Sequence, residues 1–160
     1  METEKLLKNL PEGIKGITPE DIERNVGISR QYSIFELTKA FSFKDAPKAV
    51  KVACHLGDAP KFFLPMAVSA LFLHFNRILK YNALIQAGQG GDSAAKAKIL
   101  GVNPYFFKEY DAAVRNYPLQ KAMRVISLLN DYDYKGKGGE TGEATPAELL
   151  VELVVKILNT

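Results

Sequence analysis

His55, His74 and the single cysteine, Cys54, are the side chains of this 160-residue chain whose chemistry best suits proton transfer, nucleophilic attack or metal ligation. A zinc site needs Cys, His or carboxylate ligands at spacings that let them converge, and neither histidine has such a partner along its helical run. A structural or surface role is the better account of each. Cys54 stands beside His55, which brings a thiol and a base together in sequence. Adjacent helical residues point in different directions, however, so the two do not form a nucleophile–base pair, and Cys54 reads as a small core residue. The run Lys135-Gly136-Lys137-Gly138-Gly139 has the composition of a phosphate cradle but lacks the strand–loop–helix setting of a P-loop. Asp131 and Asp133 sit where a helix is expected to end, against its dipole, and two carboxylates alone specify no cation site. No catalytic residue, cofactor or metal is expected, so the chain reads as a non-enzyme.

A different chemistry is nucleic-acid recognition. Ala97 to Phe106 has the outline of a short helix, a glycine turn at Gly101, a cap at Asn103 and a second helix, as in a helix-turn-helix. A recognition helix presents Arg, Lys, Asn or Gln to base edges. The second helix offers Lys108 and Arg115, but also Glu109 and Asp111, and Phe106, Tyr110, Ala113, Val114 and Tyr117 form a packing stripe along it. A DNA-binding regulator that uses residues 96–116, with Lys108 and Arg115 as contacts, is therefore the alternative reading.

The elements that would position these groups are helical. Apolar spacing points to helices at about residues 2–9, 19–25, 34–42, 46–56, 64–87, 93–100, 104–116, 118–133 and 146–158, with no alternating run that would make a strand. Thr18-Pro19, Asn103-Pro104 and Thr145-Pro146 each place a capping side chain before a proline at the first helical position. Asp45 and Asp58 are further candidate N-caps. Pro65 must lie in a first turn, which starts the longest helix near Leu64. Val68, Leu71, Phe72, Phe75, Ile78 and Leu79 wrap far around that helix, as expected of a central element packed on more than one side. Gly88 to Asp92 and Lys135 to Gly142 read as loops, the second with nothing to bury. The fold class is all-α, a helical bundle.

The last helix is greasier than one face requires. Leu149, Leu150, Leu153, Val154, Ile157 and Leu158 form one apolar face, while Val151 and Val155 extend it. Val151, Val155 and Leu158 are the candidate subunit-interface residues, deep burial within the domain being the competing account.

The totals agree with a globular helical protein in a reducing compartment. One cysteine forms no internal disulfide, which fits the cytoplasm. The net charge of +3 is too small to advertise nucleic-acid binding, although residues 31–90 carry seven Lys/Arg against three Asp/Glu. The acidic, polar Met1 to Lys5 is no secretory signal. Phe62 to Phe75 falls short of the roughly 20 apolar residues that span a bilayer. No membrane association is expected.

A family resemblance joins these observations. Leu10-Pro11-Glu12-Gly13, Ile17 to Ser29 and Ile34-Phe35-Glu36-Leu37 are similar to the DNA polymerase III delta subunit, in the form found in Bacteroidetes-type bacteria. Val114-Arg115-Asn116-Tyr117, Leu129 to Asp133, and Glu148 to Leu158 resemble its C-terminal region in the same order. The Gly88 to Ser93 loop departs from the family pattern, and the loop after Tyr134 is longer than that pattern. The resemblance implies a C-terminal fragment of a clamp-loader subunit, with residues 1–30 belonging to a partial helical lid and residues 31–160 to the helical collar (oligomerisation) domain. It implies other clamp-loader subunits as partners. The sliding clamp would be reached only through an N-terminal domain outside this chain, and DNA at most indirectly. Delta carries no working P-loop, and the activity served is that of the DNA polymerase III holoenzyme. A lid cut from its domain would leave Leu6, Leu7, Leu10, Ile14 and Ile22 without cover.

Overall fold

The computed structural model describes residues 34–138 and 144–160. The helices expected at about 2–9 and 19–25, the Thr18-Pro19 cap, the apolar residues from Leu6 to Ile22 and most of the loop after Gly138 lie outside the described residues. Residues 34–160 form one compact unit. In chain order it contains α1 (34–42), α2 (Ala46–Gly57), α3 (Leu64–Gln86), α4 (Ser93–Leu100), a 3-10 turn (Pro104–Phe106), α5 (Phe107–Asn116), α6 (Leu119–Gly136) and α7 (Pro146–Leu158). Seven α-helices and no strand occur among the described residues, so the protein is all-α.

α3 is the axis. Pro65 occupies its first turn, where the missing N–H costs nothing, and the helix runs 23 residues from Leu64. Leu64, Val68, Leu71, Phe75 and Ile78 are all buried along it. Helices α4, α5, α6 and α7 each pack on α3, and α2 packs on α7. The ring of Phe75 lies at the centre, edge-on to Phe41 of α1 at 5.6 Å and to Tyr117 at 5.2 Å. Such edge-to-face pairs add about 0.5–1.5 kcal/mol beyond the area they bury.

Two glycines let backbones approach closely. A Cβ on Gly57 would stand 2.8 Å from the Cβ of Ala147, so the end of α2 meets the start of α7 with no side chain between them. At Gly136 a Cβ would come within 3.3 Å of Leu64 and Pro65.

That second contact corrects an expectation. Lys135-Gly136 is not loop but the last turn of α6, because Gly136 packs against the start of α3 and continues the helix. Asp133 consequently lies inside the helix, paired with Lys137 at 3.0 Å. Asp58 caps no N-terminus either. It closes α2 at its C-terminal end, and Lys61 at φ +63° turns the chain before Phe63 precedes α3. Asp45 and Asn103 do act as N-caps, although Asn103 opens a 3-10 turn rather than an α-helix. Cys54 is exposed instead of being a core residue, since Ala49, Val52, Ala53 and Leu56 supply the inner face of α2.

Candidate subunit interface

α7 carries the candidate interface and is firmly anchored. Thr145 Oγ1 accepts from the Glu148 N–H at 3.1 Å, while Glu148 Oε1 accepts from the Thr145 N–H at 2.9 Å. This reciprocal capping box satisfies two otherwise orphaned backbone donors. Leu149, Leu150, Leu153, Val154 and Ile157 are buried on the inner face. Each such side chain contributes about 1.5–3 kcal/mol when fully removed from water.

The three residues proposed for contact lie off that face to different degrees. Val155 is 39% exposed, whereas Val151 and Leu158 are half-buried and packed against the core. The apolar surplus of α7 is therefore narrower than the sequence implies, a stripe centred on Val155. Spacings of four and three keep Val151, Val155 and Leu158 on one side of the helix.

A cleft of about 330 Å³ opens between α6 and α7, lined by Leu128, Asp131, Tyr132, Tyr134, Lys135 and Lys156 among others. Tyr132 is 1% exposed, and its hydroxyl is buried without a hydrogen bond of acceptable distance and angle. Lys135 Nζ lies 4.5 Å and Lys156 Nζ 5.2 Å from the centroid of its ring. Glu152 is 3.7 Å from Lys156, with both side chains nearly half exposed, so solvent screens much of that pair. Burial pushes the Tyr132 phenol up, and the Tyr132 hydroxyl nearby pushes Lys156 up.

Further apolar groups reach solvent elsewhere. Met66 is 70% and Leu73 52% exposed, two turns apart on α3. Residue type alone misses these positions, because a large apolar side chain reads the same whichever face of a long helix is covered.

The groups with chemical potential are dispersed. His74 is buried, its Nε2 2.9 Å from Ser42 Oγ and its Nδ1 3.3 Å from the Tyr110 hydroxyl. Burial, reinforced by the Arg77 charge, pulls it down to about 3, so it stands neutral as a structural link between α1, α3 and α5. Ser42 also donates to Glu109 at 3.3 Å, and Asn116 donates to the Ser42 carbonyl at 2.8 Å. His55 is exposed, with Cys54 beside it. Among the described residues no group of three or more His, Cys, Asp or Glu is placed to hold a metal ion. No described helix is long and apolar enough to cross a membrane.

The helix-turn-helix outline is present in part. α4 ends at Gly101 in the left-handed conformation, and α5 follows the 3-10 turn. Both helices pack on α3 rather than mainly on each other. Lys96 bridges them by pairing with Asp111 at 2.9 Å, and Tyr81 of α3 donates to the same carboxylate. Tyr110, Ala113 and Tyr117 of the packing stripe are buried, but Phe106 is 44% exposed. Lys108 and Arg115 both face solvent, two turns apart.

A profile of the family described as "DNA polymerase III delta subunit, C-terminal domain" matches residues 31–155. The chain belongs to this family. The match spans α1 through most of α7, the helices that build the compact unit described above. No match was found among curated proteins or among solved structures. Residues 31–37, which include the Ile34 to Leu37 segment, and the blocks at 114–117, 129–133 and 148–155 fall inside the matched span.

Proposed function

We propose that the chain is a non-catalytic assembly module of the bacterial clamp loader, a delta-subunit collar that packs by helix–helix contact against other loader subunits. In this reading residues 31–160 are the collar, residues 1–30 belong to the lid, and the protein works in the cytoplasm during DNA replication. The sliding clamp is engaged by a domain outside the chain. The observation that carries the reading is the delta C-terminal family match over residues 31–155, which falls on the all-helical unit. The exposed stripe centred on Val155 supports α7 as one contact surface, with Val151 and Leu158 at its margins.

The test is assembly with the other clamp-loader subunits, followed by sedimentation velocity. The double substitution Val151→Asp and Val155→Asp places two carboxylates on that stripe, and desolvating an unpaired charge at an interface costs several kcal/mol. The expected result is lost assembly with helicity and thermal midpoint close to wild type. Normal assembly by a folded double variant removes this stripe from the interface.

The solvent-facing pair Lys108 and Arg115 supports a second reading, duplex DNA contact by α5. Its signature is binding that weakens steeply with salt as phosphate contacts release counterions. Absence of duplex binding at low salt eliminates it.

A further inference from the structure

We propose that the α6–α7 cleft receives a carboxylate side chain from a neighbouring loader subunit, which docks against Lys135, Lys156 and the Tyr132 hydroxyl. This deepens the α7 interface reading and rests on it. Two independent features of the cleft point to an anion.

The first is a gathering of charge. The ammonium groups of Lys135 and Lys156 both lie within 5.2 Å of the centroid of one tyrosine ring. The acids near them are Asp131, which lines the cleft, and Glu152, whose contact with Lys156 is long and half exposed. A carboxylate between the lysines would relieve their mutual repulsion and accept charge-assisted hydrogen bonds from both.

The second is an unmet donor. Buried hydroxyls almost always find a partner, and leaving one unpaired costs about 1–3 kcal/mol. The Tyr132 hydroxyl, part of the cleft lining, makes no hydrogen bond of acceptable geometry, although Lys156 and Glu152 both approach it. An incoming acceptor that reaches the hydroxyl satisfies it.

The position fits a protein partner. Lys156 and Val155 are both exposed on α7, about 100° apart around its axis, so a partner lying across the helix can reach both. An apolar contact flanked by a charge pair is the usual layout of a specific interface, with a dry centre and a polar rim. A partner helix that carries an apolar residue and, beside it, an Asp or Glu matches both features.

The experiment measures the affinity of the chain for the remaining clamp-loader subunits between low and moderate salt. The double substitution Lys135→Met and Lys156→Met keeps the aliphatic stems over Tyr132 and removes only the charges. The expected result is roughly 10- to 100-fold weaker assembly and a flatter salt dependence. Tyr132→Phe is the second variant. It is expected to fold at least as stably as wild type, because it deletes an unpaired buried hydroxyl, yet to assemble several-fold more weakly. A purely structural tyrosine would not separate those two readouts.

Wild-type affinity for assembly in both Lys→Met and Tyr132→Phe variants overturns the proposal. If Val151→Asp/Val155→Asp still abolishes assembly in that case, the α7 interface stands without the cleft. If no variant affects assembly, both fall. The same titration with single-stranded and duplex DNA replaces the subunits in a parallel arm. DNA binding that disappears in the Lys→Met variant assigns the cleft to phosphate and overturns the carboxylate.

Discussion

Lowering the pH from 7 to 5 should destabilise the fold through His74, by an amount that its surroundings fix. The ring is enclosed by Ser42, Tyr110 and Phe75, with Arg77 close by and Glu109 reached only through Ser42. Burial and the Arg77 charge hold its folded value at about 3, against 6.5 for an ordinary histidine. The native imidazole therefore stays neutral at pH 5, while the unfolded chain takes up a proton and is favoured. The loss begins near pH 6.5 and continues until the folded value is reached. One pH unit in that window corresponds to about 1.4 kcal/mol, so the drop between pH 7 and 5 is about 2 kcal/mol. Urea unfolding of wild type and His74→Gln at both pH values isolates this contribution, since other titrating groups are common to both. Glu109 titrates in the opposite sense, because burial raises its carboxyl, and it belongs to the shared background. Wild type should lose about 2 kcal/mol more than the variant over this interval. Should His74→Gln fold poorly, the imidazole proton resonances of wild type give the same answer by titration. Equal losses in the two proteins, or a His74 resonance that titrates near pH 6.5, would refute the reasoning.

Two further outcomes follow from the packing. Gly57→Ala should destabilise by about 1–3 kcal/mol despite the better helix propensity of alanine, because its methyl meets Ala147 at 2.8 Å. A thermal midpoint at or above wild type would show that the α2–α7 contact yields easily. Thr145→Ala breaks the capping box and should cost about 1 kcal/mol in chemical denaturation, while Thr145→Ser should retain most of the stability.

The helical order was legible because apolar periodicity and caps agree along most of the chain. Pro65 fixed the start of α3, and Thr145-Pro146 the start of α7. Errors arose where a tertiary contact overrides local chemistry. Gly136 reads as a loop residue, yet its missing side chain lets α6 continue against Leu64 and Pro65. Cys54 has the size of a core residue but falls on the solvent side of α2. Asp58 has the right type for an N-cap, but the chain turns at Lys61 before the next helix begins.

The candidate site was only half visible. The excess grease of α7 is written in Val151, Val155 and Leu158, but how much of it stays exposed depends on how the neighbouring elements cover each residue. The cleft was not visible at all. Lys135 and Lys156 are 21 positions apart, and only the packing of α6 against α7 brings both to Tyr132. Tyr132 itself was noted only within the Leu129 to Asp133 resemblance, with nothing to distinguish its hydroxyl from any other.

Co-sedimentation of the unaltered chain with the other clamp-loader subunits at micromolar concentration tests the central claim most directly. A collar that assembles by helix packing should enter a stoichiometric complex without nucleotide or DNA. Separate boundaries for the chain and its intended partners at these concentrations would contradict the account.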